Sequence, residues 1–290
     1  MHLHIAGTRG SVAVTDPDHA VFGGDTTCLL ITGTGGEQVL VDCGSGLPRL
    51  APRLAPDPAS AADVLVLLTH FHLDHLMGLP GFPLLYRAGT RLQIAAAAAS
   101  EGGGTVASVL RTLLGAPLWP VDLAQLPAHV DCQDLAAASG DRPLRRGGLE
   151  IRWAPLPHPG GCTAFRVDEP ATGASLVIAT DAEWDHAPPA MLADFTHLCR
   201  HPAPCDLLLC DGQYDGQTIA ARRGWGHTSW SRAVALAREV GAARLLLTHH
   251  DPEDDDATLL AREQALQAEL PSAALARQGM VVDLGGGGQG

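Results

Sequence analysis

Short runs of consecutive apolar residues, each closed by a polar or glycine-containing turn, recur along the whole chain. Residues 3–6, 28–32 and 38–42 read as an opening set of strands, with Gly33-Thr34-Gly35-Gly36 as a turn between the last two. Val64-Leu65-Val66-Leu67-Leu68-Thr69 shows no polar alternation until its last residue, the mark of a strand buried on both faces. Residues 47–54 predict a short helix, and 76–86 an irregular segment held open by Gly78 and Pro80. The second half repeats the plan. Strands are expected at 150–154, 164–167, 176–179, 207–210 and 245–247, and helices at 231–240 and 258–269. Residues 100–148 are the least regular stretch, with Gly102-Gly103-Gly104 ahead of a helix over 105–114. Two half-sheets flanked by helices predict an α/β protein folded as a four-layer αββα sandwich. A single domain is expected over 1–284, with a disordered, glycine-rich tail at 285–290.

The chemistry stands at the ends of these runs. Directly after the 64–69 strand come His70-Phe71-His72-Leu73-Asp74-His75, four metal-competent side chains leaving one buried strand. Alternation puts His70 and His72 on one side, while a turn near Leu73 can swing Asp74 and His75 to the other. One ion cannot easily take all four. The economical reading is two ions, His70 and His72 serving the first and Asp74 and His75 the second, with zinc, manganese or iron suited to imidazole and carboxylate. A His-rich surface loop is the alternative. It sits poorly with so apolar a strand and with further candidate ligands behind similar runs. Leu245-Leu246-Leu247-Thr248 delivers His249 and His250, residues 176–180 deliver Asp181, and Ala154-Pro155-Leu156-Pro157 delivers His158. Alone, His158 reads as a loop histidine and Asp181 as a turn former; in this chain order they converge on one rim, where the site of a sheet enzyme lies.

In these residues the chain resembles the metallo-β-lactamase-fold hydrolase superfamily, whose signature is HxHxDH, then a lone His, a lone Asp and a final His. The resemblance implies that His70, His72 and His158 hold a first divalent metal and that Asp74, His75 and His249 hold a second, with Asp181 bridging. Taking His249 rather than His250 follows the family habit of placing the ligand after a Leu-Thr pair. It is more similar to the ribonuclease Z and phosphodiesterase branch, which opens with a Gly-Thr turn, here Gly7-Thr8, and carries an acidic strand end followed by a His-Ser-Thr motif. Those elements read Cys210-Asp211-Gly212-Gln213 and Gly226-His227-Thr228-Ser229. The resemblance thus pairs Asp211 with His227, with a carboxylate one methylene shorter than usual. His227 also has a structural reading beside Thr228 and Ser229, which look like N-cap residues for the following helix. Asp42 closes its own strand, either supporting the metal ligands or forming a turn.

Composition narrows the function. At 290 residues and 46% hydrophobic content the chain is long enough for a layered α/β domain, and only 4% aromatic residues imply a core of small aliphatic groups. All 19 basic residues are arginine, which excludes Schiff-base chemistry, a phosphate-loop lysine and a lysine base. A net charge of -13 without a basic run argues against a long polyanion and for a small anionic substrate, attracted by the metal pair. Seven cysteines without a CxxC pair predict no disulfide framework, and Cys43 and Cys210 read as small core residues. The start of the chain lacks a signal peptide, and residues 94–99 are too short to span a bilayer, so a cytoplasmic enzyme is expected; a homodimer is left open. Ser45 lacks the first glycine of a nucleophile elbow, and no dinucleotide or phosphate-loop fingerprint occurs.

The expected reaction is metal-dependent hydrolysis of a small phosphodiester, with cyclic nucleotides as leading substrates, by water activated between two cations and oriented by Asp74 and Asp181. His227, supported by Asp211, is the candidate acid for the leaving group. Arg9, with Arg222 and Arg223, is the nearby basic group for substrate, while Tyr214, Trp225 and Trp230 are available to stack a base. Processing of tRNA 3′ ends and hydrolysis of a lactone, thioester or sulfate ester are the enzymatic alternatives. Outside enzymes, the alternative is a metal-binding ligand sensor, against which the complete ligand set argues.

Overall fold

The computed structural model describes residues 1–57, 60–97, 104–140 and 142–285. Gly102, Gly103 and positions 286–290 of the expected tail lie outside the described residues. In the amino-terminal half the strands are β1 (His2–Gly7), β2 (Cys28–Thr32), β3 (Gln38–Val41), β4 (Asp63–Leu68), β5 (Arg91–Ala97) and β6 (His129–Leu135). In the other half they are β7 (Leu144–Arg146), β8 (Leu149–Leu156), β9 (Cys162–Glu169), β10 (Ala174–Ala179), β11 (Leu207–Asp211), β12 (Arg244–Thr248), β13 (Ala273–Leu275) and β14 (Val281–Asp283). Two seven-stranded sheets result, ordered β14-β1-β2-β3-β4-β5-β6 and β13-β12-β11-β10-β9-β8-β7. Each is antiparallel at one end and parallel at the other: β3 to β6 run parallel in the first, β10 to β13 in the second.

Alternation along the buried strands divides the apolar residues among three layers. On β4, Leu65 and Leu67 face the second sheet and pack with Leu176 and Ile178 of β10 and Leu207 and Leu209 of β11, which face back toward the first. The intervening Val64, Val66 and Leu68 face outward under the first sheet's helices, and Val177, Leu208 and Cys210 do the same under the second sheet's. Fully burying one such side chain stabilises by roughly 1.5–3 kcal/mol. The outer layers are α1 (Ala51–Leu54) and α2 (Val106–Leu113) on one side, and α3 (Pro189–Arg200), the single turn α4 (Thr218–Ala221), α5 (Trp230–Val240) and α6 (Asp256–Glu269) on the other. This is the expected αββα sandwich. No helix among the described residues is long and apolar enough to cross a membrane.

Several elements were not apparent in the hydrophobic pattern. Strand β6 is only partly buried at the sheet edge, and β7, β13 and β14 have three residues each, too few to show a period. Helix α3 buries only Phe195, Leu198 and Cys199 and begins in a run of prolines, which hid it. Residues 47–54, expected as one helix, form a 3-10 turn over Leu47–Leu50 that runs into α1. All seven cysteines are free, and Cys43 and Cys210 are fully buried core residues.

Candidate active site

The site forms where β4, β8, β10, β11 and β12 end. After β4, Thr69 donates through its backbone N–H and its hydroxyl to Asp42 Oδ1, at 2.8 and 3.0 Å. The chain passes His70 and His72 in extended form and then turns through a 3-10 segment, Leu73–His75, that reverses Asp74 and His75. Asp42 Oδ2 meets His75 Nδ1 at 2.7 Å, so this one carboxylate fixes both the strand exit and the ring of His75. It serves as turn and support at once, with φ at 61°.

Three groups of possible ligand atoms result among the described residues. His70, His72 and His158 form the first; Asp74, His75, Asp181 and His249 form the second; Asp211 and His227 form a third with His249, and within each group the ligand atoms lie within 4.8 Å of one another. His158 Nε2 is 3.1 Å from His72 Nδ1. Asp181 reaches the first two groups, with Oδ2 3.7 Å from His70 Nε2 and Oδ1 3.3 Å from both His75 Nε2 and His249 Nε2. Asp74 Oδ2 lies 3.3 Å from His75 Nε2 and 3.4 Å from His249 Nε2. His250 is turned away: its Nε2 meets the carbonyl of Ala276 at 2.9 Å, and burial holds its pKa down to about 3.

These atoms fit a pair of cations on a structural ground. His70 Nε2, His75 Nε2, His249 Nε2 and Asp181 Oδ1 are buried and have no hydrogen-bond partner among the described residues. Buried polar atoms left in that state cost free energy, and here they converge on shared points that a cation would satisfy. The opposite ring nitrogens are held by the protein: His158 Nδ1 donates to the carbonyl of Gly226 at 2.8 Å, and His70 Nδ1 lies 3.0 Å from Thr69 Oγ1. Such contacts select the tautomer that presents Nε2 inward. Burial lowers the pKa of His70 and brings that of His158 to about 4, so both rings are neutral, the ligand form. Burial would raise the Asp181 pKa, but His249 and His75 beside it hold it well below the usual carboxylate range.

Backbone strain concentrates here as well. Among the described residues, the non-glycine positions with positive φ are Ser11, Asp42, Asp181 and His249, at 61°, 61°, 34° and 61°. Ser11 belongs to the site through its N–H, which donates to Asp74 Oδ2 at 2.9 Å. Conformations of this kind cost on the order of 1 kcal/mol or more and persist where surroundings over-determine them. Gly10 and Gly226 are required by close approach: a Cβ would stand 2.3 Å from His249 Nδ1 at the first and 2.1 Å from His158 Nδ1 at the second.

His227 joins the same cluster. Its ring stacks on His249 with centroids 4.8 Å apart and lies 5.5 Å from that of His158. Its Nδ1 donates to Asp211 Oδ2 at 2.8 Å, so the shorter carboxylate does reach. Burial alone would lower the His227 pKa, but the Asp211 carboxylate raises it to about 9. The cap of α5 comes from Ser229 Oγ, which accepts from the N–H of Arg232 at 3.3 Å and leaves His227 free of that task.

The expected substrate residues fare differently. Arg9 is a correction: it is fully buried, donating Nε to the carbonyl of Gly23 and Nη1 to those of Asp251 and Asp254, so it is part of the scaffold and does not face the rim. Tyr214 is buried with its ring edge-on to His227 at 5.9 Å, a prop and not a stacking platform. Trp225 is 54% exposed beside Gly226 and carries Arg222 over its ring at 4.4 Å. Trp230 packs against the core beneath the second sheet's helices. Glu183 was missed. Its carboxylate accepts the N–H groups of Gly224 and Gly226 at 2.9 and 3.1 Å, fixing the loop that carries His227 and the His158 contact. A carboxylate acting on backbone some 40 residues away leaves no sequence signal.

Residues 37–250 match the family model of the beta-lactamase superfamily domain. A ribonuclease Z from Bradyrhizobium diazoefficiens is 26% identical over an alignment that covers 89% of this chain and 92% of that protein. Among solved structures, the metallo-beta-lactamase fold protein YhfI of Bacillus subtilis has a TM-score of 0.67 at 20% identity, covering 97% of this chain and 99% of its own. The short form of human tRNase Z has a TM-score of 0.66 at 19% identity, covering 98% and 99%.

Proposed function

The chain belongs to the metallo-β-lactamase superfamily of metal-dependent hydrolases, and from that premise we propose that it hydrolyses a small phosphodiester at a two-metal site. His70, His72 and His158 would hold one divalent cation and Asp74, His75 and His249 the other, with Asp181 between them; zinc suits this donor set, as do manganese and iron. Bound there, the two cations would lower the pKa of water and offset the charge that grows on the attacked phosphoryl group.

The protein's own residues supply the rest. Asp42 orients His75, and the Gly226 carbonyl orients His158 through its Nδ1. With Nδ1–H held by Asp211, the Nε2 of His227 can give a proton to the departing oxygen, and the Asp211 carboxylate steadies the imidazolium while it carries that proton. The single observation that carries the reading is this 2.8 Å contact beside the ligand cluster. A phosphodiester expelling an alkoxide needs such an acid.

A second reading is ribonuclease Z activity, favoured by the name of the matched relative. Against a long RNA stand the net charge of -13 and the acidic run Asp251, Glu253, Asp254, Asp255 and Asp256 that begins two residues after His249. The deciding experiment offers metal-replete protein cyclic nucleotides, bis(p-nitrophenyl) phosphate, a homoserine lactone and precursor tRNA. Turnover of the small diesters with inert lactone and tRNA is expected. Faster cleavage of tRNA, or of the lactone with an inert diester, would replace the proposal.

A further inference from the structure

A cavity of about 250 Å³ opens beside the first ligand group, walled by His70, Phe71, Ala97, Leu156, Cys162 and Met191. A second, of about 400 Å³, borders His158 and Glu183 and shares Leu156, Gly161 and Met191 with the first. Together these adjoining cavities form a cleft beside His70 and His158, its parts separated by the walls they share. Neither His227 nor His249 lines it. Among the described residues no arginine lines either part, and the innermost walls, Leu156 and Cys162, are 1% and 4% exposed. With no guanidinium or ammonium in its walls, and the Glu183 carboxylate in the second part, the cleft offers no bidentate partner for a second phosphate beyond the metal end.

We propose that this cleft is the specificity subsite for the substituent that stays on phosphorus, and that it takes an uncharged apolar group of about the size of an aromatic ring. A cavity of about 150 Å³ suffices to hold benzene, so the inner part alone has the room. The inference rests on the phosphodiester reading and narrows it. The preferred substrates are diesters with one aryl or branched alkyl arm, and a chain of nucleotides in the retained arm is disfavoured.

The test holds the leaving group constant. For the wild-type protein loaded with zinc, kcat/KM for phenyl p-nitrophenyl phosphate should exceed that for methyl p-nitrophenyl phosphate by about tenfold or more, the discrimination an apolar pocket gives for extra carbon atoms. Met191→Asp puts a charge into the wall from the half-buried start of α3, and should bring that ratio close to one. Independently of turnover, calorimetric titration should show phenylphosphonate binding the zinc-loaded protein about tenfold more tightly than methylphosphonate, with the preference lost in Met191→Asp. Equal kcat/KM for the two diesters in the wild type, or an unchanged ratio in the variant, overturns the subsite and leaves the phosphodiester reading standing. Selective phenylphosphonate binding without turnover of either diester upholds the subsite and overturns the reaction.

Discussion

Replacing Asp211 with asparagine isolates the support given to His227. Asp211 is fully buried; Oδ2 accepts from His227 Nδ1 at 2.8 Å and from the N–H of Ala182 at 3.3 Å, and Oδ1 accepts from the N–H of Gln213 at 2.9 Å. Asparagine keeps the shape and one acceptor oxygen and removes the charge, whereas alanine would orphan two buried backbone donors and endanger the fold. A hydrogen bond to a charged group contributes about 1.5–3 kcal/mol, and about 1.36 kcal/mol is tenfold in rate, so Asp211→Asn should slow an alkoxide-expelling diester by roughly 10-fold to 100-fold. His227→Ala should cost about a hundredfold or more on the same substrate. Both losses should be much smaller when p-nitrophenolate leaves, because that phenolate departs unaided. The assay is kcat on a cyclic nucleotide and on bis(p-nitrophenyl) phosphate, with metal content measured in parallel. Equal losses on both substrates, or loss of metal from either variant, would show that the pair holds structure and that the proton comes from elsewhere.

Other expectations follow from neighbouring contacts. His249→Ala should reduce bound metal and activity together, while His250→Ala should leave metal content near wild type and lower the unfolding midpoint, since His250 is a buried ring bonded to Ala276. Asp42→Asn should weaken metal binding by about 10-fold to 100-fold in competition with a chelator, the usual effect of removing a carboxylate behind a ligating histidine. Away from the site, burial would raise the Glu263 pKa, but the Arg277 guanidinium and the Leu275 N–H that it accepts lower it below 4.5. The folded-state pKa is therefore depressed: Glu263 stabilises the fold above about pH 4.5, and the contribution fades as pH falls through the lower folded value. Denaturant unfolding of wild type against Glu263→Gln should show a gap that is constant near neutrality and closes in acid; a gap that widens in acid would reverse the assignment.

The parts of the site that could be read from sequence are those carried by neighbours along the chain. His70, His72, Asp74 and His75 lie within six residues behind one apolar strand, so spacing alone separated them into two groups. His158, Asp181 and His249 stood out at the ends of runs, but their reading as ligands, and His249 over His250, came from the family resemblance. Arg9 was misread because its partners, the carbonyls of Gly23, Asp251 and Asp254, come from up to 245 residues away and absorb the guanidinium that a rim position would expose. Glu183 was invisible for the same reason. In the fold, β4, β10, β11 and β12, buried on both faces, stood out, while β6 and α3 did not, because an edge strand and a helix packed by three residues bury too little to impose a period. Strand β5 was not expected either, although it is buried on both faces, because it ends in alanines with little strand preference.

The central claim is a pair of cations required for turnover, and the most direct measurement restores metal to protein stripped by chelation while following hydrolysis of bis(p-nitrophenyl) phosphate. With zinc or manganese, activity should climb from near zero and level off at two equivalents, and bound metal at the plateau should be two per chain. Full activity in the stripped protein, or no binding and no activity after metal is restored, would contradict a two-metal hydrolase.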